Sequence, residues 1–398
     1  FSILTGGPGT GKTQIIKAIV EIIYTKNPYA KIELTAPTGK ASKKMSEVTG
    51  LEAKTIHRLI NLNPNKKDSE VKKIESDYLI IDEASMIDVY VFYKLLMALQ
   101  NNTKILLVGD YDQLPSVGAG LILRDLINSK VIPTTRLTEI FRQKSNSQII
   151  SFSNTIIKGN KIDIDNIDNN RGDFYFIQRN NVFEIQKVIL YSIKRFLEKG
   201  YSIDEIQVLT CMKKGEIGTN KLNGLIQSIF NKQNKKSNFY TLNNGSIFKK
   251  GDKVIQNVNN YDLEVFNGYV GTITDIKNSN EDVEMVVDYK DSLVKYDYTN
   301  IEELDLAYSI TIHKSQGSEF PVVIIPIHSS QSVMLNRNLV YTAITRAKNT
   351  VIMIGEKEAL DYATTREDNT KRNSLIKDKL RKRKSLYEEG NNNIINFL

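Results

Sequence analysis

Gly6-Gly7-Pro8-Gly9-Thr10-Gly11-Lys12-Thr13 lies between an apolar run, Ile3-Leu4, and a helical pattern that opens Gln14-Ile15-Ile16. Strand, glycine-rich turn and helix in that order make a phosphate cradle. Glycines let backbone N–H groups curl around phosphate oxygens, and the helix N-terminus adds a favourable dipole. In such a loop Lys12 reaches the β- and γ-phosphates and the Thr13 hydroxyl binds Mg2+. The alternative is a glycine turn that binds nothing, which the full pattern in its strand–helix setting disfavours. Gly7, Pro8, Gly9, Thr10, Gly11, Lys12 and Thr13 are therefore the candidate ATP contacts.

Outward from this loop, Ile32-Glu33-Leu34, Tyr78-Leu79-Ile80-Ile81 and Ile105-Leu106-Leu107-Val108 read as buried strands separated by helical patterns. Apolar runs of this kind predict a parallel sheet covered on both faces, an α/β lobe over residues 1–140. A polar stretch, 61–76, interrupts it and is too polar for a core element. A second α/β alternation begins near Phe141, with strands expected at Phe174-Tyr175-Phe176-Ile177, Ile206-Gln207-Val208-Leu209, Val322-Val323-Ile324-Ile325 and Val351-Ile352-Met353-Ile354. It spans 141–245 and 304–362, and 246–303 break it. There short alternating segments, among them Lys253-Val254-Ile255-Gln256 and Gly271-Thr272-Ile273-Thr274, predict a small antiparallel β barrel inserted in the second lobe. Residues 363–398 read as a charged tail, with a solvated helix in the mixed-sign run Lys371 to Glu389.

Further chemistry clusters at strand ends. Ile80-Ile81-Asp82-Glu83-Ala84-Ser85 closes a hydrophobic strand with two acids: Asp82 is placed to hold Mg2+ and Glu83 to polarise an attacking water. Gly109-Asp110-Tyr111-Asp112-Gln113-Leu114-Pro115 follows another strand, where Gln113 can sense a γ-phosphate; alone, the segment reads as a turn. Arg142 and Arg346 are candidate arginine fingers, since an arginine from a facing domain stabilises charge on a transferring phosphoryl group. In isolation either reads as an ordinary surface arginine.

Composition bounds the answer more loosely. The chain has 398 residues, enough for two or three domains, and no apolar run approaches the roughly 18 residues of a membrane span. The formal net charge of +8 favours a polyanionic partner. A Lys- and Asn-rich composition explains it as readily. A single cysteine, Cys211, excludes an internal disulfide and a cysteine-cluster zinc site, and a reducing cytoplasm is the expected compartment. The chain opens at Phe1 inside a strand with no methionine, so a further segment is expected ahead of it.

Taken in order, these blocks resemble the motifs of superfamily 1B DNA helicases, and most closely their RecD-like branch. Beyond the phosphate loop, Asp82-Glu83-Ala84-Ser85 and Gly109 to Pro115, the resemblance rests on five further stretches. These are Thr35-Ala36-Pro37-Thr38-Gly39-Lys40-Ala41, Thr55-Ile56-His57-Arg58, Phe141-Arg142-Gln143, Thr311-Ile312-His313-Lys314-Ser315-Gln316-Gly317-Ser318-Glu319-Phe320, and Val340 to Arg346. It covers residues 1 to about 356. It implies two RecA-like lobes that use ATP and Mg2+ and an SH3-like barrel in lobe two. It further implies Gly317 and Glu319 among the nucleotide contacts, and Pro37, Thr38, His57, Thr311 and His313 along single-stranded DNA. Residues 61–76 correspond to the pin that splits strands at duplex junctions, and movement along the strand is expected from 5′ to 3′. Tyr261 and Phe266 can stack on bases, although turn packing explains them equally well.

Other readings stay open. The same motor serves equally as a subunit of a nuclease or conjugative relaxase complex, with accessory partners. A P-loop kinase for a small metabolite would share Lys12, Thr13 and Asp82 but would not require the second lobe.

Overall fold

The computed structural model describes residues 1–62, 71–139, 147–164, 167, 172–232, 239–242, 245–278, 283–367, 372 and 374–388. The chain forms two units, Phe1–Arg142 with Asn369–Leu398, and Gln143–Asp368.

In the first unit, β1 (Ser2–Gly6), β2 (Ile32–Ala36), β3 (Ala53–Thr55), β4 (Tyr78–Ile81), β5 (Lys104–Gly109) and β6 (Thr134–Leu137) build one parallel sheet, ordered β3-β2-β4-β5-β1-β6. Between them run α1 (Lys12–Lys26), α2 (Gly39–Thr49), α3 (Ile56–Leu59), α4 (Val89–Ala98) and α5 (Ile122–Ser129). Strand side chains alternate between faces. Leu4, Ile80 and Val108 pack with Ile16, Val20 and Met45 of α1 and α2. Ile3, Leu79, Ile81 and Leu107 pack on the opposite face with Phe92, Leu95, Leu123 and Leu126 of α4 and α5. Both faces are covered, which is why the strands read as unbroken apolar runs. Each fully buried Ile or Leu stabilises by roughly 1.5–3 kcal/mol.

The second unit has α6 (Gln148–Ile157), β7 (Phe174–Gln178), α7 (Val182–Glu198), β8 (Ile206–Thr210) and α8 (Thr219–Phe230). An insertion follows, with β9 (Phe239–Thr241), β10 (Ile247–Lys249), β11 (Lys253–Gln256), β12 (Val270–Asn278), β13 (Val283–Asp288), β14 (Leu293–Tyr296) and β15 (Leu304–Leu306). The lobe resumes with β16 (Ser309–Thr311), β17 (Phe320–Ile327), α9 (Arg337–Ile344), β18 (Ala347–Gly355) and α10 (Lys357–Thr365). Its parallel sheet runs β16-β8-β17-β18-β7, while the insertion forms an antiparallel sheet β14-β13-β12-β11-β15 and a β9–β10 hairpin. Its strands thus extend beyond 246–303 at both ends, because β9 and β15 are too short to show alternation.

A pair of buried charges fixes the insertion to the lobe. The Asp252 carboxylate accepts hydrogen bonds from Gln227 (2.5 Å) and Asn231 (2.6 Å) of the α8 region, from the Lys249 backbone (2.7 Å) and from the Tyr308 hydroxyl (2.9 Å). Lys253 donates to the carbonyls of Ile206 (3.1 Å) and Asp204 (3.2 Å) and lies 5.7 Å above the Phe320 ring. Buried charges persist where hydrogen bonds of this number satisfy them.

Two expectations need correction. The helix expected after Lys371 is present, but one side of it is docked on the lobe and not solvated. This helix, α11 (Ile376–Glu388), packs Ile376 and Leu380 against the first unit's core. Arg381 donates to the Asn128 (2.7 Å) and Ser129 (3.2 Å) carbonyls at the end of α5, where cations are favoured. Arg372 donates to the Gly120 carbonyl at 2.8 Å. Two apolar residues four apart make a stripe too narrow to stand out among the charges. Likewise, 61–76 is not polar throughout in its packing: Leu62 and Ile74 are core residues, and the Lys72 amide bonds the Ile60 carbonyl at 2.9 Å. Residues 63–70 of that stretch lie outside the described residues.

Candidate nucleotide and nucleic-acid sites

The glycine-rich loop joins β1 to α1. Gly9 and Gly11 hold φ values of 75° and 80°, a left-handed conformation that side-chain-bearing residues resist. Left-handed turns of this kind are how a backbone gathers its N–H groups into an anion-binding concavity. The Thr10 hydroxyl donates to the Gly7 carbonyl at 2.8 Å, closing the turn. Lys12 Nζ donates to the Gly6 (2.8 Å) and Gly7 (2.9 Å) carbonyls, so its ammonium spans the loop.

β4 ends on Asp82 and Glu83, and β5, which leads into Asp110 and Gln113, lies between β4 and β1. All three strands are parallel, so the loop and both acidic segments share the sheet's C-terminal edge, where α/β proteins bind ligands. Asp82 is buried and accepts a hydrogen bond from the Glu83 amide at 2.8 Å. Burial, and next the Glu83 charge, push its carboxyl above the ordinary range, while Lys12 and Lys44 pull it back. Glu83 holds φ 50° and ψ 37°, left-handed for a non-glycine residue. Strain of this kind gathers at functional sites.

The donor set suits a magnesium nucleotide. Mg2+ is bound by hard oxygens, usually one or two protein groups plus substrate phosphates. Thr13 and Asp82 supply a hydroxyl and a carboxylate. Among the described residues no group of three or more His, Cys, Asp or Glu forms a free-standing metal cage.

Gln113, read as a γ-phosphate sensor, is buried, and its amide donates to Asp110 at 3.0 Å. Asp112 pairs with Arg136 at 3.3 Å, and the guanidinium lies 5.4 Å from the Tyr111 ring centre. Burial, then the Asp110 charge, raise the Asp112 pKa to about 6.

The candidate strand contacts fall on loop–helix junctions. The Thr38 hydroxyl caps α2 by accepting from the Ala41 amide at 3.3 Å. Thr55 caps α3 from Arg58 at 3.3 Å and so sets His57 on that short helix. His57 is partly buried, and desolvation lowers its pKa against the pull of Asp88, favouring a neutral ring. In the second unit Thr311 ends β16 and its hydroxyl accepts from the Lys314 amide at 3.4 Å; His313 opens the next turn, and Gly317 turns with φ 72°. Glu319 precedes β17 and is half-exposed.

Arg346 is not a surface arginine. It is buried, and donates through Nε to the Thr342 carbonyl and through Nη1 to the Ser318 carbonyl, both at 3.2 Å. It therefore ties the end of α9 to the loop carrying Gly317 and Glu319. Arg142 lies outside the described residues. Tyr261 and Phe266 pack edge to face on each other at 5.9 Å, the turn-packing alternative. Sequence reasoning missed Lys44, whose charge acts on Asp82 from α2. It also missed the Asp252–Lys253 anchor, since neighbouring opposite charges at the start of a strand carry no sequence signature.

Comparison with known proteins adds three matches in chain order. Residues 1–119 fit the model of an AAA domain, 222–289 that of the ATP-dependent RecD-like DNA helicase SH3 domain, and 306–354 that of the UvrD-like helicase C-terminal domain. The chain is similar to RecD-like DNA helicases. It is 33% identical over 380 residues to the ATP-dependent RecD2 DNA helicase of Deinococcus radiodurans, covering 94% of this chain and 49% of that protein. It thus spans about half the length of that curated relative. It is 28% identical to the RecBCD enzyme subunit RecD of Buchnera aphidicola, covering 90% of this chain and 70% of the relative. The structure of Bacteroides Pif1 bound to single-stranded DNA has the same fold, with a TM-score of 0.58 at 17% identity, covering 98% of this chain and 94% of that one. The SH3-like match, 222–289, overlaps the insertion read from sequence, 246–303, over residues 246–289.

Proposed function

We propose that this RecD-like chain is an ATP-driven motor that moves 5′ to 3′ along single-stranded DNA and opens duplex junctions. The observation that carries the proposal is the convergence of Lys12, Thr13, Asp82 and Glu83 at one sheet edge, in a chain whose second unit carries a RecD-like SH3 insertion. A metabolite kinase accounts for the first half of that observation and not the second.

In this reading Gly7 to Gly11 wrap the phosphates with backbone N–H groups, and Lys12 exchanges its loop carbonyls for phosphate oxygens. Thr13 and Asp82 hold Mg2+, which when bound neutralises phosphate charge. Glu83 orients and deprotonates the attacking water, with a backbone fixed in place to do so. Asp110 positions Gln113 through its amide nitrogen, so the carbonyl oxygen is the part of the amide that reads the water or the γ-phosphate. Arg142 and Arg346 supply positive charge to the transition state, and Gly317 and Glu319 contribute further nucleotide contacts. Arg346 is held by Thr342 and Ser318, so movement of the Gly317–Glu319 loop is transmitted to it. Pro37, Thr38 and His57 of the first unit, with Thr311 and His313 of the second, carry the strand. A neutral His57 donates or accepts hydrogen bonds without adding charge.

DNA repair or recombination is the proposed setting, in a reducing cytoplasm, with accessory subunits or an upstream domain as partners. Among the described residues no helix is long and apolar enough to cross a membrane. Two tailed duplexes test direction. The protein should unwind the duplex with a 5′ single-stranded tail; unwinding only the 3′-tailed duplex would refute the polarity.

A further inference from the structure

The second unit carries an open cavity of 420 Å3 walled by α8, β10, β15, β16 and the turn after β16. Thr311 lines it, with Lys213, Lys314 and Asp305. One oxygen of the Asp305 carboxylate lies 3.7 Å from Lys213 Nζ and 3.6 Å from Lys314 Nζ, so a single anionic atom bridges two ammonium groups. Lys314 also donates to the Asn257 side-chain oxygen. Its side chain is only 24% exposed. Burial lowers its pKa, Asp305 pulls it back up, and the neighbouring Lys213 charge adds to the lowering. Lys213 is 57% exposed.

Two lysines converging on one anionic oxygen, beside a threonine hydroxyl, form the donor set that also suits a phosphodiester. The cavity falls within the size range of ligand sites, roughly 300–1,000 Å3. We propose that this cavity receives one backbone phosphate of the bound DNA strand, and that Asp305 is an internal competitor which the phosphate displaces from Lys213 and Lys314. The inference rests on the helicase reading and deepens it. Asp305 sets how firmly the second unit grips the strand, and so how readily the strand is released in each cycle. The exposed Asp305–Lys213 pair is weak enough to exchange, since such pairs contribute little net stability in water.

The test is fluorescence anisotropy with labelled oligo(dT), titrated over salt concentration. Asp305→Asn should bind roughly three- to tenfold more tightly, in keeping with one charge-assisted contact. Glu358→Gln, an equal change in net charge on exposed α10, should shift affinity less than about twofold. Lys213→Ala should weaken binding and flatten the slope of log affinity against log salt by roughly 0.7, the loss of one single-strand phosphate contact. Equal effects of Asp305→Asn and Glu358→Gln, or an unchanged slope in Lys213→Ala, would overturn the proposal while leaving the helicase reading intact. Failure of the unaltered protein to bind oligo(dT) would overturn both.

Discussion

Replacing Glu83 should make the protein more stable and less active at once. Glu83 sits at φ 50°, where an L-residue costs roughly 1–2 kcal/mol. Glycine escapes that cost but loses roughly 0.5–1 kcal/mol of extra chain entropy. The net gain for Glu83→Gly is therefore roughly 0.5–1 kcal/mol. A second gain comes from Asp82, whose carboxyl is raised by burial and then by the Glu83 charge. A carboxyl raised in the folded state contributes stability below its unfolded pKa and loses it as pH rises through the folded value. Removing the Glu83 charge lowers the folded value and recovers part of that loss at neutral pH. Glu83→Gly should thus stabilise the first unit by about 1 kcal/mol, or about 2–4 °C in Tm. Glu83→Gln keeps the strained backbone and should gain only the electrostatic part, a part that disappears near pH 4. Turnover should fall by roughly 10²–10⁴ in both, the usual contribution of a positioned general base. Calorimetry in chelator across pH, paired with ATP turnover, measures all of this. A lower Tm for Glu83→Gly at neutral pH, or unchanged turnover in either variant, would refute the reasoning.

Arg346→Ala should lower kcat by about 10³ with little change in ATP affinity, because finger charge acts on the transition state. It should also cost roughly 1–3 kcal/mol by orphaning the Thr342 and Ser318 carbonyls, so kcat must be read where urea melts show the variant folded. Asp112, with a folded pKa of about 6 against 3.8 for the free group, withdraws stability as pH rises through about 6. Asp112→Asn should therefore narrow the stability difference between pH 5 and pH 8 in urea melts, and an unchanged difference would place its carboxyl in an ordinary environment. Because Leu62 and Ile74 belong to the core, a Gly-Ser linker should replace only 63–70. That variant should keep DNA-stimulated ATPase and lose unwinding, and normal unwinding would dismiss the pin.

Much of the fold was legible because its strands bury both faces. Ile80 and Leu79 point to opposite cores, yet both are apolar, and no surface strand reads that way. The insertion was legible for the opposite reason, its segments alternating as Val283 to Val287 do. What escaped was set by partners distant in sequence. α11 looks solvated until Arg381 is placed on the end of α5, more than 250 residues earlier. β6 is an exposed edge, Thr134 to Leu137, with no apolar run to mark it. At the site, residue types and order gave the phosphate loop and the two acids, but not conformation. That Glu83 is left-handed, that Gln113 is engaged by Asp110, and that Arg346 is buried among carbonyls are tertiary facts with no local signature.

The most direct measurement is the rate of ATP hydrolysis with and without single-stranded DNA, for the unaltered chain and for Lys12→Ala. The motor reading predicts turnover stimulated manyfold by the strand and abolished in Lys12→Ala, whose fold should persist because the lysine is the first residue of α1 and lies outside both cores. Turnover indifferent to DNA, or surviving the loss of Lys12, would contradict it.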